Sequence, residues 1–390
     1  MLGKFILLAL CGLWLTAFAP AQSLPPNFFG MNVLHAISNT PWPAAPVSSL
    51  RLWDSDDTRW SAIEPSRGKF NFEGLDRWLA LAEKHHAEVL YTFGRVPAWA
   101  NDNQRQSVPP KDLKDWDDFV RALVRHAKGR IHAYELWNEP NQSNFWSSDV
   151  KTLLEMGSRA YRIIKQEQPG AIVTTPAPTW HTVEPYQWLQ TYLDLGGGKF
   201  ADVIAFHGYV GVAPESLTGE LERIRRVAKN NDVDKPIWDT ESSWGIDSKL
   251  PDANAQSAFL ARSYILHVSQ GVHRFYWYAW DGSDGNTTIS DRSWGTLWDR
   301  NGVRPPGEAL ASVVAWLQQA TLPLICTTQQ STWTCKLNSN SMLIWDTQSQ
   351  HSFTTDPRYS EYQDLSRSTH PVPANHQVTI GPSPVLLRSR

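Results

Sequence analysis

The chain has 390 residues, more than a single hydrophobic core usually organises, so a large domain with a smaller companion is expected. Hydrophobic residues make up 41% and charged residues 19%, which is the composition of a globular protein and excludes a largely disordered one. The formal net charge is -3 and no block of like charges occurs, which argues against a surface built for nucleic acid or an anionic membrane.

The N-terminus has the pattern of an export signal. Lys4 precedes an apolar run over residues 5–18, and Ala19-Pro20-Ala21 forms a small-x-small cleavage site. We therefore predict a signal peptide over residues 1–21, a mature chain beginning near Gln22, and a secreted or periplasmic location. A retained membrane anchor is the alternative, although the run is shorter than the roughly 20 residues that a membrane span needs. No other segment has the character of a membrane span.

Residues 27–316 alternate short β-branched or aromatic runs with longer amphipathic segments, a pattern typical of βα units around a parallel sheet. Helical patterns fall between these runs, and Asp149 and Asp252 stand at two expected N-cap positions. The order and length predict an α/β fold, a (β/α)8 TIM barrel over residues 22–318. The eight predicted strands are 28–33, 49–53, 88–93, 131–137, 171–175, 203–207, 236–240 and 274–280.

The pattern changes after Trp316 to short β-like runs separated by Ser, Asn, Gln, Asp and Pro. Residues 319–390 are therefore predicted to form a small C-terminal antiparallel β-domain of sandwich-like form that packs on the barrel. Cys326 and Cys335 flank a short polar stretch between two of these runs. In an oxidising compartment they are expected to form a disulfide across a hairpin, and two unpaired buried thiols are the alternative. No Cys/His spacing indicates zinc.

Two glutamates lie at the ends of predicted strands that are nearly opposite each other in such a barrel. Glu139 follows the fourth strand and Glu241 follows the seventh, at the face where barrels of this kind carry function. Cleavage of a glycosidic bond needs two carboxyl groups, one to protonate the leaving oxygen and one to attack or to activate water. We therefore predict Glu139 as general acid/base and Glu241 as nucleophile, with Arg51 and Tyr209 keeping Glu241 ionised.

The stretch Trp137-Asn138-Glu139-Pro140, followed by Glu241 at the end of the seventh strand, resembles glycoside hydrolase clan A. The segments 60–70 and 294–299 are also similar to clan members. Within the clan the chain is most similar to the family 39 β-xylosidases and exopolysaccharide hydrolases, which also carry a small β-domain. This resemblance implies a (β/α)8 barrel that cleaves β-glycosidic bonds with retention of configuration.

The resemblance also implies roles for neighbouring residues. Asn138 would bond the sugar 2-hydroxyl, His207 and Tyr209 would line the catalytic subsite, and Trp277 or Trp280 would form a platform for the sugar ring. Trp99 and Trp244 lie in strand-end loops and are predicted to contribute more distant subsites, because an apolar sugar face packs on an indole ring. For His207 a purely structural role is the alternative.

The expected partner is an oligo- or polysaccharide, with no cofactor, no metal, no nucleic acid and no membrane contact after signal cleavage. The sugar, endo or exo action and the oligomeric state stay open. Three alternatives are a carbohydrate-binding barrel without activity, an accessory protein of exopolysaccharide synthesis, and a metal-dependent hydrolase. The last needs clustered His and Asp ligands, and His35 and His207 occur without such a cluster.

Overall fold

A computed structural model describes residues 22–180, 185–211, 213–245, 250, 252–282 and 294–389. The predicted signal peptide over residues 1–21 lies outside the described residues. Among the helices of the described ranges, none is long and apolar enough to cross a membrane.

Eight parallel strands form the centre of the fold, and the predicted barrel is confirmed. They pair in the order β5-β4-β3-β2-β1-β8-β7-β6. A parallel bridge between Thr174 and Val203 joins β5 to β6 and closes the ring. The strands are β1 Phe29–Asn32, β2 Ser49–Leu52, β3 Glu88–Thr92, β4 Ala133–Glu135, β5 Ile172–Thr174, β6 Ile204–His207, β7 Ile237–Ser242 and β8 Arg274–Trp277.

Helices surround this barrel, although the connection after β1 differs from the expected strand–helix pairing. Residues 33–48 contain turns and no helix, whereas β2 is followed by both a short and a long helix. The helices are α1 Trp60–Ile63, α2 Glu73–Lys84, α3 Leu113–Ala127, α4 Val150–Glu167, α5 Pro185–Asp194, α6 Leu217–Asn230, α7 Ala253–Ser269 and α8 Pro305–Leu317. The helices α2, α3, α4 and α6 each turn an apolar stripe toward the strands and a polar face outward, whereas α7 is buried all round over residues 257–268.

Aspartate side chains begin three of these helices. Asp112, Asp149 and Asp252 accept a hydrogen bond from a backbone N–H in the first turn of α3, α4 and α7. These bonds satisfy amide groups that have no partner within the helix. The predicted N-caps at Asp149 and Asp252 are therefore present.

The C-terminal part forms the expected antiparallel strands. Six of them pair in the order β9-β10-β11-β16-β13-β14, and β12 pairs with β15. Cys326 and Cys335 are opposite each other on β9 and β10 and form the predicted disulfide. The strands are β9 Ile325–Gln329, β10 Thr332–Lys336, β11 Ser341–Asp346, β12 His351–Thr354, β13 Tyr359–Gln363, β14 Thr369–Pro371, β15 Gln377–Ile380 and β16 Val385–Ser389.

The six-stranded sheet packs on the barrel through one of its faces. Alternate residues of a strand point to opposite faces, so Leu343 and Trp345 join the core of the barrel while Ile344 joins a second core beneath β15. The indole N–H of Trp345 donates to Glu215, which is also paired with Arg262 on α7. Because Glu215 lies in the connection from β6 to α6, the sheet supports a loop of the barrel mouth.

We expect Trp345→Phe to lower the free energy of unfolding by about 1–3 kcal/mol, because it removes a buried hydrogen bond to a carboxylate and some packing. Trp333→Phe is the matched control, since Trp333 stacks on Trp345 but is partly exposed. Urea denaturation followed by fluorescence measures both changes. An equal loss in the two variants would contradict the assigned contact.

Candidate active site

Glu139 and Glu241 meet at the carboxyl ends of the barrel strands. One oxygen of each carboxyl group and a ring nitrogen of His207 all lie within 4.8 Å of one another. Glu139 follows β4 and has a positive φ of 41°, and its N–H donates to the carbonyl of Ala177 at 3.0 Å. Positive φ is uncommon for a residue with a side chain and often occurs at functional sites.

A local irregularity of β7 positions Glu241. The pairing of β7 with both β6 and β8 shifts register near this residue, as in a β-bulge. One carboxylate oxygen of Asp239 accepts hydrogen bonds from the backbone N–H groups of Glu241 and Gly208, at 3.2 and 3.1 Å. The other oxygen lies 2.8 Å from His267 on α7. Asp239 therefore supplies partners for amide groups that the shifted ladder leaves open, as expected where a bulge redirects a side chain.

Arg51 on β2 connects the two halves of the site. Its guanidinium is fully buried and donates to Glu241 at 2.7 Å and to Glu135 at 2.6 Å. It also donates to the side-chain oxygens of Asn138, at 2.8 Å, and Asn32, at 3.1 Å. Burial alone would lower the pKa of Arg51, but the neighbouring carboxylates of Glu135 and Glu241 raise it overall. The guanidinium is therefore a permanent positive charge at the base of the site.

Both oxygens of Glu241 have partners. Arg51 bonds Oε2, and the hydroxyl of Tyr209 donates to Oε1 at 2.8 Å. Burial raises the pKa of the Glu241 carboxyl, while the guanidinium and the phenol favour its charged form. These are the two contacts that the sequence suggested for this residue.

His207 lies between the glutamates in a defined protonation state. Its Nε2 lies 3.3 Å from a guanidinium nitrogen of Arg51, which can only donate, so Nε2 is the acceptor. Nδ1 then carries the proton and donates to Glu139 at 2.9 Å. Burial lowers the pKa of His207, which agrees with a neutral ring.

These three side chains also offer the donor types that a divalent cation uses. Among the described residues they are the one group of three carboxylate or imidazole ligands with atoms this close. However, the Arg51 guanidinium already donates to the Glu241 carboxylate at 2.7 Å, so a metal ion bound there would be repelled by a fixed positive charge. The arrangement therefore suits proton transfer and nucleophilic attack better than metal binding.

The glutamates open into a cavity of about 300 Å³ at the mouth of the barrel, here called the barrel-mouth cavity. Three amide side chains and five aromatic rings surround its carboxylates, which combines hydrogen-bonding groups with apolar surfaces. The cavity is lined by Trp53, Asp54, Asn138, Glu139, Gln142, Asn144, Phe145, Tyr209, Glu241, Tyr278 and Trp294. Larger cavities, of about 550 to 720 Å³, lie along α6, beside α8 and at residues 22–25, away from these glutamates.

The four tryptophans predicted to bind sugar lie outside the lining of this cavity. Trp277 and Trp280 are almost fully buried, and their indole N–H groups donate to the carbonyls of Gly295 and Pro41. Trp244 is buried against Trp277, and the indole of Trp99 donates to the Glu64 carbonyl. The rings of Trp277, Trp280 and Trp244 pack in the core because strand-end positions of a barrel face the interior as well as the mouth. Trp99 is only partly buried, so its place in a more distant subsite stays a prediction.

Sequence reasoning missed several residues of the lining. Trp53 precedes Asp54 at the end of β2, Tyr278 precedes the predicted Trp280, and Phe145 comes from the long loop after β4. Position just after a strand could have indicated the first two. No local pattern distinguishes Phe145, whose place depends on how its loop folds back over Trp53.

The geometry is that of a barrel hydrolase with paired carboxylates, and comparison with known proteins agrees. The profile of the family described as "Glycosyl hydrolase catalytic core" matches residues 71–305, more than half of the chain. The chain therefore belongs to this family, and the expected resemblance to glycoside hydrolases is confirmed.

Curated relatives are similar over shorter stretches. A "Beta-xylosidase" of Geobacillus stearothermophilus is 30% identical over 171 residues, 39% of this chain and 33% of the relative. An "Endo-1,4-beta-xylanase A" of Phanerodontia chrysosporium is 28% identical over 105 residues, 26% of this chain and 25% of the relative. The matched part thus spans a third or less of these relatives.

Solved structures share the fold over nearly the whole chain. A family 39 glycoside hydrolase from Bacteroides cellulosilyticus WH2 aligns with a TM-score of 0.74 at 18% identity, covering 96% of this chain and 84% of that one. A monomeric β-xylosidase from Caulobacter crescentus CB15 aligns with a TM-score of 0.67 at 14% identity, covering 94% and 97%.

We expect Arg51→Met to lower the free energy of unfolding by about 3–5 kcal/mol at pH 7, because it leaves two buried carboxylates without a counter-charge. Without the guanidinium the pKa of Glu241 rises further in the folded state, because a nearby positive charge favours its charged form. A raised carboxyl pKa costs stability above the unfolded value, so the deficit should shrink as the pH falls.

Urea denaturation at pH 7 and at about pH 5 measures this difference. Arg125→Met is the control, because Arg125 forms an exposed ion pair and its loss should change little. A deficit that is the same at both pH values would contradict the electrostatic origin of the effect.

Proposed function

We propose that this protein is a retaining glycoside hydrolase that cleaves β-glycosidic bonds in an oligo- or polysaccharide, with xylan-type chains as the first candidates. The observation that carries the proposal is the Glu139–Glu241 pair, whose nearest oxygens are at most 4.8 Å apart. Retaining enzymes hold their carboxyl groups about 5–5.5 Å apart, whereas inverting enzymes need about 6.5–9.5 Å to admit a water molecule. The short separation supports direct attack by a carboxylate.

The surroundings of the two glutamates assign their roles. Glu241 contacts a permanent cation and a phenol donor, which favour a carboxylate ready to attack the anomeric carbon. Glu139 contacts the neutral His207, and it is more open to the cavity, with 12% of its side chain exposed against 9% for Glu241. Glu139 is therefore the group that protonates the leaving oxygen.

The reaction then proceeds in two displacements. In the first, Glu241 bonds to the anomeric carbon while the glycosidic oxygen takes the proton of Glu139 and leaves. In the second, Glu139 removes a proton from water, the water oxygen bonds to the anomeric carbon, and Glu241 is released. The Nδ1–H of His207 donates to Glu139 and so stabilises its carboxylate between the two steps.

The choice of sugar rests on the relatives, which are named as β-xylosidase and endo-1,4-β-xylanase. β-Glucosides and β-mannosides use the same bond chemistry and form the comparison set. A secreted or periplasmic location is proposed with this function, supported by the export pattern of residues 1–21 and by the disulfide.

We expect Glu241→Ala to reduce kcat/KM on an aryl β-xyloside by at least about 10³-fold, because the nucleophile is lost. Glu139→Ala should lose less on a substrate with an activated leaving group, and added azide should restore turnover and yield a β-glycosyl azide. Glu88→Ala is the matched control, since Glu88 is at the opposite end of β3.

Two results would reject the proposal. One is equal activity, or none, in the wild type and Glu241→Ala across aryl β-xylosides, β-glucosides and β-mannosides. The other is an α-configured azide product from Glu139→Ala, which would indicate a different stereochemical course.

The pH profile of kcat/KM should be bell-shaped, with its acid limb set by Glu241. Activity falls as the pH drops through the pKa of the nucleophile, and burial raises that pKa above its usual value of 4.5. Tyr209→Phe removes a hydrogen bond to the charged form and should move the acid limb to higher pH, leaving the basic limb in place. An acid limb that does not move would contradict the role given to Tyr209.

A further inference from the structure

Asp54 is the one carboxylate of the barrel-mouth cavity, among its described lining residues, that the two-step reaction does not use. Asp54 follows β2, whereas Glu139 follows β4 and Glu241 lies near the end of β7, so Asp54 occupies a third side of the cavity. The hydroxyl of Tyr278, on the β8 side, lies 3.5 Å from its Oδ2. Because Tyr278 also lines the cavity, Asp54 belongs to the surface that a bound sugar meets.

Asp54 is held in place by two arginines that leave one oxygen available. Arg59 and Arg95 both donate to its Oδ1, at 3.0 and 3.3 Å. At 3.5 Å the Tyr278 hydroxyl is too far from Oδ2 for a strong bond, since O–H···O bonds are usually 2.5–3.0 Å long. A carboxylate has about four acceptor positions, so Oδ2 can accept hydrogen bonds from further donors.

The arrangement around Arg95 indicates which donors these are. The Arg95 guanidinium lies 5.3 Å from the ring centre of Trp53 and 5.6 Å from that of Phe145. Those rings line the cavity and Arg95 does not, so the positive charge lies behind the aromatic surface. The charged group that the cavity presents on this side is thus an acceptor, which suits sugar hydroxyls and disfavours an anionic sugar.

We propose that Asp54 is a specificity-determining residue that accepts hydrogen bonds from the 3- or 4-hydroxyl of the sugar in the barrel-mouth cavity. The site then selects a neutral sugar with these hydroxyls free and discriminates against uronic acids and sugars substituted at these positions. The inference rests on the proposed glycosidase function and names the substrate class of the same site. A site built to bond a hydroxyl rejects the analogue that lacks it, because its own polar group is left unpaired.

The test is a cycle of two changes, one in the protein and one in the substrate. Kinetics of the wild type and Asp54→Ala are measured on an aryl β-xyloside and on its 3-deoxy and 4-deoxy analogues. We expect at least one deoxy analogue to lose about 10- to 100-fold in kcat/KM with the wild type, the size typical of a hydrogen bond to a charged group. In Asp54→Ala the same analogue and the parent xyloside should have nearly equal kcat/KM.

Asp56→Ala is the matched control, because Asp56 is in the same loop but pairs with His35 outside the cavity lining. It should retain the wild-type preference for the parent substrate. Equal deoxy penalties in the wild type and Asp54→Ala would overturn the proposal. So would a wild-type preference for an aryl β-glucuronide over the β-glucoside, since it would assign Arg59 and Arg95 to an anionic sugar.

A binding experiment separates failure of this proposal from failure of the function. Calorimetry with xylotriose compares Glu241→Gln with the double variant Glu241→Gln/Asp54→Ala, and the proposal predicts about 10-fold or more weaker binding in the double variant. If the wild type cleaves no aryl β-glycoside, the proposed function fails, and this comparison still tests Asp54. Equal xylotriose affinity in both variants would reject the contact.

Discussion

The structure of the site depends on one buried cation. Arg51 projects from β2 and bonds side chains that originate on or just after β1, β4 and β7, and it also contacts His207 at the end of β6. A guanidinium has five N–H donors in a rigid fork, which lets a single group fix several acceptors at once. The positions of Glu241, Asn138 and His207 are therefore not independent of one another.

The buried network around Arg51 is suited to the chemistry of the site more than to the stability of the fold. Moving charges out of water is costly, and a buried ion network stabilises a fold less than an apolar core of the same volume can. In the proposed mechanism the same charges favour the ionised form of Glu241 and fix the tautomer of His207, which contacts the proposed proton donor Glu139. Asp239 and His267 continue the network behind Glu241, since Asp239 accepts a hydrogen bond from the backbone N–H of Glu241 and contacts His267. The site is thus held by polar contacts from several strands and from α7.

Most of the barrel could be predicted from the sequence because its signals are local. The alternation of apolar strands and amphipathic helices indicated all eight strands, and Asp149 and Asp252 indicated two helix starts. The pair Glu139 and Glu241 could be chosen because strand ends converge in a barrel, whatever the side-chain details. Arg51 could be paired with Glu241 because a buried arginine needs a carboxylate partner.

The assignment of aromatic residues could not be made in the same way. Three of the predicted tryptophans, Trp277, Trp280 and Trp244, lie at or just after strand ends, as the glutamates do. Their rings nevertheless pack in the core, and the indole N–H groups of Trp277 and Trp280 donate to backbone carbonyls. Among the rings that do line the cavity, Phe145 comes from a loop whose path depends on its contact with Trp53, a residue distant in sequence. The connection after β1 likewise has no helix, a difference that periodicity in neighbouring segments did not reveal.

In the proposed mechanism Glu241 attacks the sugar and forms a covalent glycosyl-enzyme. An activated 2-deoxy-2-fluoro-β-xyloside slows breakdown of such an intermediate, so it can be incubated with the protein and the labelled peptide located by mass spectrometry. We expect one sugar per protein chain, attached to Glu241 and absent in Glu241→Gln. Hydrolysis of the parent substrate with no trapped sugar and with inverted configuration of the product, or a label on a different residue, would contradict it.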